Sequence, residues 1–173
     1  MKTIFRAALA AVAFSALTIA LPPVAQAELV IDITKPNMEP LPIAIADFGA
    51  ASPGETGVSA EISQVIRNDL QSSGLFRALD PNSFITRSPD VATPPKFADW
   101  RVINSQALVT GKTYLESDGR LRVEFRLWDI FAETQMIGFQ FFTSPENSRR
   151  VGHMIADAVY ERLTGDKGYF DTR

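Results

Sequence analysis

Residues 107–143 read ALVTGKTYLESDGRLRVEFRLWDIFAETQMIGFQFFT and carry the clearest pattern in the chain. Apolar and charged side chains alternate over 120–127, as a half-buried β-strand requires, because successive side chains point to opposite faces of a sheet. The Asp-Gly pair at 118–119 favours a tight hairpin before this run. Apolar runs at 107–116 and 136–143 flank it. The stretch therefore predicts three successive antiparallel strands with one apolar face.

Two amphipathic helices are predicted to cover this apolar face. The first spans 58–73, where apolar residues recur at helical spacing and Gly74 follows as a left-handed C-terminal cap. The second is predicted to take Ser144 as its N-cap and Pro145 as its first residue, and to end at Gly165. Each helix would bury its apolar stripe against the sheet.

The remaining predicted elements are short. Strands are expected over 41–47 and 75–79, and a helix over 97–104. Together with the meander and the two main helices, they predict an α+β fold, in which a mixed five-stranded sheet containing an antiparallel meander is flanked by two main helices. This domain is expected to occupy residues 41–173, preceded by a flexible partner-binding segment and linker at 28–40.

The start of the chain has the pattern of a secretory signal peptide. Lys2 and Arg6 give it a positive charge, 7–21 is an uncharged apolar run, and the tripeptide at 25–27 has small residues at its two key positions. The apolar run is shorter than the roughly 20 residues that cross a bilayer. We therefore expect export, with cleavage before Glu28.

The charge composition argues against a nucleic-acid-binding function. The chain carries 17 Lys plus Arg and 20 Asp plus Glu, and removal of residues 1–27 takes two basic side chains and leaves a net charge of −5. A mildly acidic exported domain is not expected to bind nucleic acid. The row of Arg120, Arg122 and Arg126 is interrupted by Glu124 and is interpreted as the solvated face of a strand. With no cysteine, the fold must be held together by its core.

No catalytic, metal or cofactor site is predicted. Asp157 could contact the single histidine, His153, from four residues away, but no third metal ligand is evident, so His153 is interpreted as a surface residue. Neither a cysteine nor a GxSxG motif supports a nucleophile. The loop at 48–57 contains glycines but matches no phosphate-binding fingerprint. The alternative to a binding protein is a small-ligand-binding or hydrolytic domain that uses this loop and Asp47.

The aromatic residues of the meander predict both a core and an exposed group. Phe125 and Phe139 fall on the inner face at a period of two, so we expect them in the core. Trp128, Phe142 and Tyr114 fall on the opposite face and are expected to be partly exposed. An exposed aromatic group of this size usually marks an interface.

Residues 28–33 read ELVIDI and precede a proline-containing stretch at 34–40. The first run has high β propensity, whereas the prolines of the second disfavour regular structure and indicate a linker. A short segment of this kind could add a strand to its own domain or to the sheet of another protein. The residues themselves leave both interpretations open.

Several stretches together resemble the amino-terminal domain of the TolB family, which belongs to the Tol-Pal envelope system. Their order and spacing carry the resemblance, which extends over essentially all of residues 28–173. They are residues 42–45, 65–70, 73–76, 107–111, 122–129, 160–165 and 168–173, together with Trp100.

This resemblance implies a fold and a function. The fold is a mixed sheet flanked by two long helices, followed in the family by a propeller domain that we expect to be missing from this chain. The function is that of a non-enzymatic periplasmic protein with no cofactor and no small-molecule substrate, which supports outer-membrane integrity and outer-membrane invagination during cell division. The propeller would bind the lipoprotein Pal, and the mature N-terminus would bind the C-terminal domain of TolA. The expected TolA-binding residues are Glu28, Leu29, Val30, Ile31, Asp32 and Ile33.

Overall fold

The computed structural model describes residues 29–32 and 39–172. The expected cleavage site, the predicted site residues Glu28 and Ile33, and most of the predicted linker lie outside these ranges. Within them, every helix is too short or too polar to cross a membrane.

The helices and strands of the described ranges follow the predicted order. Single turns of 3-10 helix precede two of the α-helices, at 53–55 and 145–147. The elements are β1 (Leu41–Ile45), β2 (Gly49–Ala50), α1 (Thr56–Ser72), β3 (Phe76–Ala78), α2 (Phe97–Arg101), β4 (Ala107–Leu115), β5 (Leu121–Asp129), β6 (Thr134–Thr143) and α3 (Ser148–Thr164).

The strands form one mixed sheet in the order β3-β1-β4-β5-β6. β1 pairs in parallel with β3 on one side and with β4 on the other, and the two-residue β2 also pairs in parallel with β4. β4, β5 and β6 are antiparallel and directly successive. The predicted mixed sheet with its antiparallel meander is therefore confirmed, and β2 is a short strand that the sequence did not predict.

The turn between β4 and β5 shows why the Asp-Gly pair is informative. Gly119 has a φ of +84°, a conformation that an L side chain rarely adopts. Its N–H donates to the carbonyl of Glu116 at 2.9 Å, and the Asp118 carboxylate accepts from the N–H of Arg120 at 3.0 Å. The hairpin that places β5 beside β4 is thus fixed by local residues.

Helices α1 and α3 lie side by side on one face of the sheet and bury the main core. The side chains of Ile62 and Ile155 are completely buried there, and Phe125 of β5 reaches them from the sheet. Gly152 permits the close approach of the two helices, because a Cβ at this position would lie 2.8 Å from the side chain of Val65.

A second core lies on the other face of the sheet, beneath α2. Trp100 packs edge-on against Phe84 with 5.1 Å between ring centroids. Trp128 is only 5% exposed, so its predicted partial exposure is wrong. The reason is that α2 and its flanking loops cover this part of the sheet: Phe97 contacts the Trp128 ring, and the Trp128 Nε1–H donates to the Thr110 hydroxyl at 3.1 Å.

The aromatic residues of β6 differ from the prediction because β6 is the outermost strand. Phe139 is 52% exposed although it was expected in the core, since α1 and α3 cover the apolar face of β6 only in part. Phe142 is 49% exposed and Tyr114 is half-buried, as predicted. The position of a strand within the sheet, not its alternation alone, decides its burial.

Helix α3 begins later than its capping pattern predicted. Residues 145–147 form a 3-10 turn, and the α-helix starts at Ser148 after Asn147. Pro145 begins the 3-10 turn, where its fixed φ and missing N–H are tolerated. Gly165 ends the helix with a φ of +81°, as expected.

Candidate partner-binding segment

The N-terminal segment, residues 29–32, lies against the C-terminal end of α3. Ile31 is 7% exposed and belongs to the main core, and its N–H donates to the carbonyl of Leu163 at 2.6 Å. Leu29 packs partly against the same core, whereas Val30 is 54% exposed and Asp32 is also exposed. Side chains thus alternate between core and solvent, but these four residues form no strand.

A groove of about 560 Å³ runs beside the N-terminal segment. Residues 29–32 form one wall, and the start of β1 with Arg77 and Gln106 forms the other. The predicted site residues Leu29, Val30, Ile31 and Asp32 therefore border one open surface at the N-terminal ends of the parallel strands.

The C-terminal strap, residues 165–172, returns along α3 and ends beside the first turn of this helix. The Asp157 carboxylate holds it by accepting from the N–H groups of Phe170 at 2.7 Å and Asp171 at 3.1 Å. Arg150 pairs with the Asp171 carboxylate at 3.0 Å. At Gly168 the strap passes so close to α3 that a Cβ would lie 2.3 Å from Asp157 Oδ1 and 2.5 Å from its Cα.

Aromatic side chains complete the attachment of the C-terminal strap. Tyr160 of α3 contacts both Tyr169 and Phe170, with ring centroids 5.5 and 5.8 Å apart. Tyr160 also contacts Phe76 of β3 at 6.1 Å. The strap was not predicted as an element, and the glycine followed by two aromatic residues at 168–170 is the sequence signal that could have indicated it.

His153 does not pair with Asp157, the contact that helical spacing had suggested. Its Nδ1 lies 2.6 Å from Oδ2 of Asp69 on α1, and Asp157 is occupied by the C-terminal strap. Asp69 and His153 are 84 residues apart, so no local spacing could reveal this contact. The pair joins the two main helices, and the described residues contain no cluster of three potential metal ligands.

The loop at 48–57 is held together by the side chain of one of its own residues, Glu55. Glu55 is buried, and its carboxylate accepts from the N–H groups of Ala51 and Leu115, each at 2.9 Å, and from the Ser52 hydroxyl at 3.0 Å. Burial acts to raise the pKa of Glu55, but these hydrogen bonds together hold it below its ordinary value. The N–H group of Ala51 thus already donates to a carboxylate of the chain itself.

Asp47, the other residue of that alternative, belongs to a small group of charges. It lies 3.7 Å from Arg67 and 3.3 Å from Arg87, and its N–H donates to the Arg87 carbonyl. Both arginines thus lie beside its carboxylate, as in a surface ion-pair group.

Comparison with known proteins fits this architecture. Residues 29–136 match the family described as the TolB amino-terminal domain. The chain belongs to this family. It is 50% identical over 149 residues to the Tol-Pal system protein TolB of Paramagnetospirillum magneticum, in an alignment that covers 86% of this chain and 33% of the relative.

The solved structure of TolB from Acinetobacter baumannii has the same fold. It superposes with a TM-score of 0.63 at 24% identity, over 78% of this chain and 31% of that one. The chain therefore spans about a third of the length of the TolB proteins it resembles. The match to the family begins at residue 29, so it includes the N-terminal segment.

Proposed function

We propose that this TolB amino-terminal domain is a non-enzymatic periplasmic component of the Tol-Pal system that binds the C-terminal domain of TolA through residues 28–33. The observation that carries the proposal is the arrangement of the N-terminal segment. Ile31 inserts into the domain core while Val30 and Asp32 face solvent beside an open groove. A partner can contact the exposed side chains first and then take over the segment.

The resting position of the segment is compatible with release. Burial of an isoleucine side chain contributes about 1.5–3 kcal/mol, and a backbone hydrogen bond such as that from Ile31 to Leu163 contributes about 0.5–1.5 kcal/mol. A partner that binds with a micromolar Kd gains about 8 kcal/mol. Binding of this strength offsets removal of Ile31 from the core and leaves a usable affinity.

The cellular role follows from this interaction and remains part of the proposal. An exported domain that links to TolA would support outer-membrane integrity and outer-membrane invagination during division. Pal would be bound by the propeller of the longer TolB proteins, since this chain spans about a third of their length.

The direct test is calorimetric titration of the TolA C-terminal domain into residues 28–173 and into residues 35–173. We expect heat of binding with the longer chain and none with the shorter one. The Ile85→Thr variant of the longer chain is the matched control, because Ile85 is an exposed apolar residue outside the segment and should leave binding unchanged. Equal binding by both chains, or binding by neither, would remove the site from residues 28–33.

A further inference from the structure

The outer edge of β6 carries hydrogen-bonding groups that the described part of the chain does not use. β6 (Thr134–Thr143) is the last strand in the sheet and pairs only with β5. In an antiparallel pair, alternate residues direct their N–H and C=O groups away from the neighbouring strand. Within 29–32 and 39–172, no backbone hydrogen bond joins β6 to any element other than β5.

Over residues 137–143, β6 also lacks the features that usually protect a free edge. Edge strands of natural proteins are commonly short, charged, interrupted by proline or bent by a bulge. The ten residues of β6 include no charged residue and no proline, and the one irregularity of the β5–β6 pair lies at Leu127/Trp128, outside the regular register of 137–143. The opposite edge strand, β3, has three residues and includes Arg77.

Beside this edge lies an arginine whose charge is not paired. Arg126 of β5 is opposite Gly138 of β6, and its Nη1 donates to Gln135 Oε1 at 2.6 Å. Its Nε is buried and has no hydrogen-bond partner, and no carboxylate of the described residues forms an ion pair with it. Arg122, four residues earlier on the same face, pairs with both Glu116 and Glu124.

Gly138 leaves a depression between Arg126 and the free edge. The depression has a volume of about 270 Å³ and is lined by Arg126, Gln135, Gly138, Gln140 and Glu124, among others. The carboxylate of Glu124 is paired with Arg122 and does not pair with Arg126. Gly138 has no side chain of its own, and the space above it holds the flexible end of Gln135, whose Nε2 would lie 2.9 Å from a Cβ at Gly138. A carboxylate on a strand added alongside β6 would displace this amide from the guanidinium. On the other face of β6, Phe139 presents half of its surface to solvent.

We propose that the free edge of β6 is a docking site for an extended segment of another protein, in which an acidic side chain is flanked by apolar ones. The added strand uses the free N–H and C=O groups of β6. Its acidic side chain enters the depression and pairs with Arg126, while its apolar neighbours, which point to the other face, pack against Phe139.

The unpaired charge distinguishes this partner from a second copy of the chain. Two β6 strands could pair edge to edge, but β6 contains no acidic residue. Such a dimer would bring no carboxylate to either Arg126. A different protein with the pattern apolar-acidic-apolar can bond the free N–H and C=O groups of β6 and also pair with the charge of Arg126.

The experiment uses the mature chain and two synthetic nine-residue peptides, acetyl-TVTVDVTVT-amide and the same peptide with Asn in place of Asp. Binding is measured by NMR titration, and hydrogen exchange of the β6 amides is followed in parallel. We expect the Asp peptide to bind about tenfold more tightly than the Asn peptide, since it alone forms a charge-assisted pair. It should also slow exchange in β6.

Two variants assign the effect to Arg126. Arg126→Gln should bring the two peptides to equal affinity. Arg120→Gln is the control: Arg120 is exposed and pairs with Asp118, so its substitution removes the same charge but should keep the tenfold preference. Thermal unfolding verifies that both variants fold. Absence of binding, equal affinity of the two peptides for the unmodified chain, or equal effects of the two substitutions would each overturn the proposal. So would slowed exchange confined to residues outside β6.

Discussion

The two terminal segments contact different parts of α3 and are held by different chemistry. The N-terminal segment is attached through the apolar Ile31 and a main-chain bond to Leu163. The C-terminal strap is attached through the Asp157 carboxylate, which accepts two backbone N–H groups, and through the aromatic contacts of Tyr160. The C-terminal end of α3 thus offers an apolar surface, whereas its middle and its first turn offer directional polar attachments.

The difference bears on which segment can be exchanged. An apolar side chain can leave one hydrophobic site for another on a partner. Hydrogen bonds to a charged group contribute about 1.5–3 kcal/mol each and require donors in fixed positions. We therefore expect the N-terminal segment to be the exchangeable one and the C-terminal strap to stay in place.

The largest effect is expected from Gly168→Ala. The new Cβ would meet both the side chain and the Cα of Asp157, and a backbone atom cannot move aside, so the strap must lift from α3. We expect a loss of about 3 kcal/mol in the free energy of unfolding, because the bonds to Asp157 are lost together. Urea denaturation measures it. Gly57→Ala, at a helical position with open space around it, is the control and should be neutral or slightly stabilising. Equal stability of the two variants would contradict the close approach.

Asp157→Asn should have a smaller effect on the same strap. The amide keeps one acceptor oxygen but loses the charge and the second acceptor, so we expect a loss of about 2 kcal/mol. Hydrogen exchange of the Phe170 and Asp171 amides should accelerate, and exchange in β4 should not. Glu161→Gln removes one negative charge from an exposed position of α3 and serves as the control. Unchanged protection of both amides would show that Asp157 does not hold the strap.

Ile31→Ala tests the apolar attachment. We expect it to weaken the seat of the N-terminal segment by about 1.5 kcal/mol, since part of the buried apolar surface is lost. The chain has no cysteine, so a spin label on Val30→Cys reports this segment alone. Its mobile spectral component should increase in the Ile31→Ala background and not in a Tyr169→Ala background. The reverse result would exchange the roles of the two segments.

The smallest effect is expected on the pH dependence of stability, through Glu55, whose carboxylate holds the loop at 48–57 as Asp157 holds the strap. The pKa of Glu55 is below its ordinary value, so the stabilisation from its ionised form is present above the ordinary pKa of 4.5 and is lost as pH falls through the lower, folded-state pKa. Denaturation at a series of pH values should show this acid loss, and Glu55→Gln should reduce it. An identical pH dependence in both chains would mean that other groups cause the loss.

The local patterns of the sequence predicted most of the fold. Alternation over 120–127 and the Asp-Gly turn define the meander, because strand period and turn conformation depend on adjacent residues. The exposure of Phe139 and the burial of Trp128 were not predicted correctly, since they depend on which strand is outermost and on what α2 covers. The contacts of Asp157 with the C-terminal strap also depend on tertiary packing, so local patterns did not predict them. For residues 28–33, the sequence itself indicated only a high β propensity.

The strand order has a consequence for how the chain assembles. β4 pairs with β5, and β5 with β6, so each of these pairs joins successive strands. β1, in contrast, pairs with β4, which is more than 60 residues later, and Ile31 bonds to Leu163 at the far end of the domain. Contacts between near neighbours in sequence form fastest because they close the smallest loops. We expect the meander to form first and the Ile31–Leu163 contact last, which pulse-labelling hydrogen exchange during refolding can verify. The final step of folding would then be the event that the proposed partner binding reverses.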